Sequence, residues 1–266
     1  MRRRRRGRHR KDRTLPLGTV FIMGAAAAGV YLTMNPIGAS AATTDVYVAS
    51  SGSDSNHGTL AAPYRTLAKA FAAAGPGTTI YVRGGTYYPT ATLKSTVSGT
   101  AAQRITLTSY GSQKVRVDGS HLPSGSWLVG LYANYWTVRG IEFQHSPAQG
   151  FVCTSCSGDI FQDLTTNDNG DTGFTLRGDH TTDNLVEGLD SYGNHDPSGD
   201  GGNADGIAVE SGSGSGNVIT GTRLSDNSDD IYGAAAAGVS RSRTSNSASL
   251  TSYPRGGLNR ATAPRS

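Results

Sequence analysis

The sequence predicts an all-β protein wound as a parallel β-solenoid, with one short helix near its start. Three observations carry this: a glycine- and turn-rich composition, short strands of alternating polarity, and a repeat of constant length. The chain has 266 residues with 36 Gly, 36% hydrophobic and 17% charged residues. That length suits one large domain or two small ones, and the composition favours turn-rich β structure over a helical bundle.

The elements follow in order. Asp45–Ala49 alternates as a strand, and Ser50–Ala62 is a polar loop. Pro63–Ala74 reads as a helix: Pro opens it, Leu67, Ala70, Phe71 and Ala74 share a face, and Gly75-Pro76-Gly77 stops it. Thr79–Arg83 and Gly85–Tyr88 are strand-like. One helix followed only by strands predicts a cap on a β structure, over 43–100. From Arg104 onward short strands recur, at Ile105–Ser109, Val115–Asp118, Tyr135–Arg139, Ile141–Phe143 and Phe174–Arg177. Coils are expected over 101–232.

Two markers give the repeat. Ile141, Leu164, Leu189 and Thr222 occupy similar contexts at spacings of 23, 25 and 33. The last spacing shortens to the common value if nine residues around His195–Gly202 are an insertion. Asn169-Gly-Asp171, Asn203-Ala-Asp205 and Asn227-Ser-Asp229 share an Asn-x-Asp pattern at spacings of 34 and 24. A period of about 24 residues suits solenoid coils, whose equivalent residues stack about 4.8 Å apart. A sandwich would not require matching polar turns at constant period.

Charge is segregated. The formal +4 combines +8 over residues 1–13, +5 over 231–266 and −9 over the body between them. Fifteen acids lie within 159–230, against Arg177 and Arg223 alone. A nucleic-acid-binding domain is excluded on this pattern. Residues 1–42 pass from an arginine run through an apolar stretch, Leu15–Leu32, to Ala39-Ser40-Ala41-Ala42. That order reads as a cleaved secretory signal, giving a secreted, extracellular protein with no membrane association after cleavage. An uncleaved anchor is the alternative. In an exported chain Cys153 and Cys156 form either a local disulfide or a pair of buried thiols. They lack the spacing of a four-cysteine zinc site.

Stacking has a chemical consequence. If the coils align on Asn-x-Asp, Asp205 lies one rung from Asp229, with Asp230 beside it. Carboxylates about 4.8 Å apart repel unless neutralised. Calcium, with six to eight oxygen ligands at about 2.3–2.6 Å, does this well. Asp205, Asp229 and Asp230 are therefore the candidate metal ligands. Asp159, Asp163, Asp179, Asp183 and Asp200 read as solvated turn residues, and Asp171 as structural.

In order along the chain stand Asn169–Phe174 (NGDTGF), Asp190–Pro197 (DSYGNHDP), Gly201–Gly206 (GGNADG), Gly214–Asn217 (GSGN) and Asp226–Asp230 (DNSDD). Together they resemble the central region of the family nine polysaccharide lyases, pectate lyases with a right-handed parallel β-helix. Tyr47–Asp54 through Pro76-Gly77 is similar to the cap of many exported β-helix proteins. The resemblance covers about residues 45–232. It implies calcium held by Asp205, Asp229 and Asp230, and β-elimination on the acidic plant polysaccharide polygalacturonate (pectate) by a monomer.

The sequence departs from the family in two places. Gly233 stands where a further aspartate is expected, and no lysine follows Lys114. The family's base, a lysine some forty residues beyond the Asp-Asp pair, would lie past Ser266, so no catalytic residue is assigned. Residues 233–266 hold no acid and read as a disordered tail. Their onset after Asp230 is the pattern that truncation by a shifted reading frame would leave. Weak or no activity is the expectation. The alternatives are a non-catalytic β-helix module binding acidic polysaccharide at the cell surface, and an inverting hydrolase using Asp205 with Asp229 or Asp230.

Overall fold

The structure is a computed structural model. It describes residues 44–197, 204–210 and 212–228, with the backbone of Tyr232–Gly233 and Ser240–Ser242. Residues 1–42, read above as a secretory signal, lie outside the described residues, as do Asp200, Asp229, Asp230 and most of the segment read as a tail. Among the described residues no helix is long and apolar enough to cross a membrane.

Strands are numbered in chain order. The first sheet holds β1 (Thr44–Val48), β2 (Thr78–Val82), β5 (Ile105–Ser109), β8 (Trp136–Arg139), β11 (Ile160–Gln162), β14 (Leu185–Glu187), β17 (Val218–Thr220) and β20 (Ser240–Ser242). The second holds β3 (Gly85–Tyr87), β6 (Val115–Asp118), β9 (Glu142–Gln144), β12 (Thr165–Asn167), β15 (Asp190–Tyr192) and β18 (Arg223–Ser225). The third holds β4 (Leu93–Ser95), β7 (Val129–Leu131), β10 (Phe151–Thr154), β13 (Phe174–Arg177), β16 (Ile207–Glu210) and β19 (Tyr232–Gly233). Each coil visits the three sheets in turn, and all the pairings are parallel. The expected strand β13 matches residue for residue, as do β5 and β6. Residues 43–100 supply the first strands of all three sheets, and β20 continues the first sheet within the segment read as a tail without coil repeat.

The helix α1 (Leu67–Ala73) begins later than expected. Thr66, not Pro63, caps it: the Thr66 hydroxyl accepts the Lys69 N–H at 3.2 Å. Asp54 fixes that start by accepting the N–H groups of Arg65 and Thr66, each at 2.9 Å. The buried Phe71 then packs against Trp136, ring centroids 5.4 Å apart.

The first sequence marker holds. Glu142, Thr165, Asp190 and Arg223 are rung partners, so Ile141, Leu164, Leu189 and Thr222, each one residue earlier and all buried, form a column. The insertion also holds. Phe174 pairs with Ile207 at a spacing of 33, and Ala208 with Tyr232 at 24.

The second marker needs correction. The Asn169 side-chain N–H donates to Asn194 Oδ1 at 2.9 Å, and that of Asn194 to Asn227 Oδ1 at 2.8 Å. The ladder therefore runs 169–194–227, while Asn203 lies outside the described residues. Asn194 and Asp196 are themselves an Asn-x-Asp, and the extra residues follow them. Each ladder amide satisfies turn backbone that no strand can reach: Asn169 Oδ1 accepts the Ser146 N–H at 3.0 Å.

A third column sets the bend between the first and second sheets. Gly140, Asp163, Gly188 and Gly221 recur there with φ of 64°, 51°, 68° and 63°. This left-handed conformation is open to glycine and tolerated by aspartate. Asp163 is thus the exposed turn residue expected of it, and Asp183, with φ of 56°, is another.

Inside, Val46, Ile80, Leu107, Val138, Phe161 and Val186 line the first sheet rung by rung. Phe151 stacks on Phe174 with centroids 5.3 Å apart and planes 10° apart, and meets Phe143 and Phe161 edge-on. The second sheet's column turns polar at Thr166 and Ser191, whose hydroxyls bond each other at 2.8 Å. Ser191 passes that bond on to the Gly206 carbonyl at 2.7 Å.

Candidate active site

The site is built at the entrance to the third sheet, where the turn backbone leads into β13 and β16. Phe174 pairs with Ile207, so Asp205 faces Thr172, not Asp171. The Gly173 N–H donates to the Asp205 carbonyl at 2.9 Å, and the Asp205 N–H donates to Thr172 Oγ1 at 3.3 Å. These bonds fix the Asp205 backbone, and its residue is 5% exposed. A carboxylate held so near the interior requires partners of opposite charge or donor hydrogens.

Acidic residues also gather at Asp171, the residue before its rung partner Thr172. Asp171 accepts the Thr172 N–H at 2.6 Å and the Gln149 amide at 2.7 Å. Burial nevertheless raises the Asp171 carboxyl above its ordinary range, and the charges of Asp196 and Glu210 raise it further. Sequence reasoning does not single out Asp196 or Glu210. Rung counting from Phe174 to Ile207 would place Glu210 beside Arg177. Arg177 lies 3.7 Å from Glu210, and Arg223 pairs with Asp190, so both arginines ion-pair. Asp205 offers carboxylate oxygens and its rung partner Thr172 a hydroxyl, donor types that fit a hard cation such as calcium. Of the three candidate ligands, Asp229 and Asp230 lie outside the described residues.

Asp159 is a correction. It is fully buried, not a solvated turn residue. It occupies the foot of a second amide ladder: the Asp159 N–H donates to Asn184 Oδ1 at 2.9 Å, and Asn184 donates to Asn217 Oδ1 at 2.9 Å. Asp159 Oδ1 accepts the Trp136 N–H, as an amide oxygen would. Its Oδ2 lies 3.7 Å from Cys153 Sγ. Cys153 and Cys156 form a disulfide. A disulfide sulfur carries no hydrogen, so a hydrogen between these atoms belongs to the carboxyl. Burial raises that carboxyl from 3.8 to about 7, against the opposing pull of the Trp136 N–H and Arg104. The two sulfurs and Asp159 are close enough to hold a metal ion, but the disulfide occupies both thiols.

Protonated Asp159 therefore does the work of an asparagine, and stability follows pH accordingly. A carboxyl raised on folding stabilises fully below about pH 4, and that contribution is lost as pH rises to about 7. Every tenfold weakening of the acid on folding is worth about 1.4 kcal/mol. Asp159→Asn is expected to flatten this slope and to melt higher than the unaltered chain above pH 7. Melting temperature against pH for both proteins checks this. Parallel curves would refute it.

Coils of three parallel sheets, stacked on inward apolar columns and amide ladders, make this protein a parallel β-helix. The chain belongs to the Pel9A-like right-handed β-helix family, whose model matches residues 46–250. It is 38% identical over 199 residues to pectate lyase PEL9 of Emericella nidulans, covering 70% of this chain and 48% of that protein. Among solved structures it is similar to pectate lyase Pel9A, with a TM-score of 0.63 and 28% identity over 75% of this chain and 51% of that one. A rhamnogalacturonan lyase gives a TM-score of 0.62 and 26% identity over 74% of this chain and 53% of that one. The chain spans about half the length of the curated relatives it matches.

Proposed function

We propose that the chain is an exported, calcium-dependent pectate-lyase-like protein that binds polygalacturonate, with weak β-elimination activity as it stands. The observation that carries this reading is Asp205, a nearly buried carboxylate whose rung partner Thr172 follows Asp171, itself near Asp196 and Glu210. Such a face attracts an acidic polymer only through a cation. Sequence spacing supports the ligand set: Asp229 precedes Tyr232 by three residues, as Asp205 precedes Ala208, and Ala208 pairs with Tyr232. When bound, calcium would engage a uronate carboxylate and acidify the proton on the adjoining carbon. Asp205 would hold the ion with Asp229 and Asp230, while Thr172 and Gly173 keep the Asp205 backbone in place. Elimination then needs a base at C5, followed by cleavage of the bond to the C4 oxygen. The arginines of the acidic stretch face Glu210 and Asp190, and a guanidinium beside a carboxylate stays protonated. These engagements favour, as second reading, a module that binds without cleaving.

Incubation with polygalacturonate, with calcium or with a chelator, tests both. The proposal expects slow growth of absorbance from the 4,5-unsaturated product, abolished by chelator. Calcium-dependent binding without absorbance selects the module. Reducing ends without absorbance select a hydrolase and overturn the proposal.

A further inference from the structure

Asp159 and the Cys153–Cys156 disulfide meet in the interior, and the proposed saccharide chemistry uses neither. All three residues are fully buried. The bridge closes the turn that leaves β10, and Ser155, at the tip of that turn, is exposed. Asp159 stands at the entrance to β11, and its two oxygens have different partners. Oδ1 accepts the Trp136 N–H, while Oδ2 lies 3.7 Å from Cys153 Sγ. The other members of its ladder, Asn184 and Asn217, are amides, so the carboxyl stands at the rung that meets a sulfur. Among the described residues, the charged group acting on it is Arg104. Arg104 donates to the carbonyls of Trp136 and Gly158, and its guanidinium stands 6.0 Å from the centre of the Tyr135 ring. None of these anchors involves the sulfurs.

We propose that Asp159 is the proton acceptor and donor of the Cys153–Cys156 pair, and that this pair is a redox site whose equilibrium is set by pH. The inference goes beyond the polyuronate reading and does not rest on it. One hydrogen fits between Asp159 Oδ2 and Cys153 Sγ. In the disulfide it comes from the carboxyl. In the dithiol the Cys153 S–H supplies it, and the carboxyl is free to ionise. A small-molecule disulfide serves as oxidant. The Cys156 thiolate attacks it, forming a mixed disulfide and expelling one thiolate. Cys153 passes its proton to Asp159, and its thiolate attacks Cys156 Sγ, expelling the second. Two electrons leave the cysteine sulfurs and one S–S bond replaces another. One proton rests on Asp159, and the other goes to an expelled thiolate. A dithiol reverses each step, with Asp159 returning its proton to Cys153. Burial of the sulfurs slows this exchange without moving its end point. The disulfide form holds a proton that the dithiol form sheds, so acid favours the disulfide and rising pH favours the dithiol.

The test equilibrates the full chain with mixtures of reduced and oxidised dithiothreitol between about pH 5 and about pH 8, below the thiols' own ionisation. A chelator keeps metal from the freed sulfurs, which with Asp159 are close enough to hold an ion. Alkylation and mass spectrometry read the fraction reduced. Dithiothreitol exchanges two thiol protons as the protein does, so these cancel and the proton on Asp159 remains. The dithiol form is expected to gain on the order of tenfold across this range, equivalent to about 30 mV. Asp159→Asn, an amide like its ladder neighbours, is expected to show no gain. Carboxyl NMR of Asp159 in the two redox forms adds a readout that a merely structural role would not move. The carboxyl is expected to ionise at lower pH in the dithiol. Equal pH dependence in the two proteins overturns the proposal, as does the same Asp159 titration in both redox forms. A bridge that stays oxidised at every dithiothreitol ratio in the folded chain also overturns it.

Discussion

Asp205→Asn is expected to abolish calcium-induced stabilisation and to leave the calcium-free protein at least as stable as before. The amide keeps the shape of the side chain, and the backbone bonds to Thr172 and Gly173 do not involve it. What disappears is one nearly buried negative charge, on the rung partner of the residue that follows Asp171. Without metal that charge is a liability, and with metal it is a ligand. A ligand present at a hundred times its dissociation constant stabilises by about 2.7 kcal/mol, and the variant should lose this increment. Melting curves with and without calcium, run on both proteins, check it. A calcium shift of equal size in Asp205→Asn would remove Asp205 from the ligand set.

Phe151→Ala is expected to cost about 3–5 kcal/mol, the range for truncating a buried aromatic. Phe151 is 1% exposed and touches the rings of Phe143, Phe161 and Phe174, so it ties all three sheets together at mid-height. Each coil of a solenoid contacts only its neighbours, and a void at this level weakens the link between lower and upper coils. The melting transition should fall by on the order of 10 °C and broaden. Calorimetry checks both. A sharp transition at the original temperature would show that the neighbouring rings close the gap.

The fold is legible because its period is written in buried residues. Ile141, Leu164, Leu189 and Thr222 repeat in sequence, and each is held in the interior. The Asn marker is legible only in part. Asn194-His195-Asp196 carries the pattern but stands against the extra residues, so the eye passes from Asn169 to Asn203, while the hydrogen bonds run to Asn194. Asp159 misleads because turn aspartates look alike in sequence. Only the stack beneath Asn184 and Asn217 shows that this one replaces a ladder amide.

The Asn169–Asn194 contact also governs how the molecule ages. Asn169 is followed by Gly170, the pairing in which the backbone nitrogen most readily attacks the side-chain amide, releasing ammonia to give a succinimide that water opens to isoaspartate or aspartate. In the folded chain that amide is gripped at both ends, by the Ser146 N–H and by Asn194 Oδ1, while the Gly170 N–H is turned to the Ser146 carbonyl. The attack must wait until these coils part. Deamidation at Asn169 is thus a clock that runs only while the chain is open. Each tick sets a carboxyl in place of an amide in the Asn169–Asn194–Asn227 ladder.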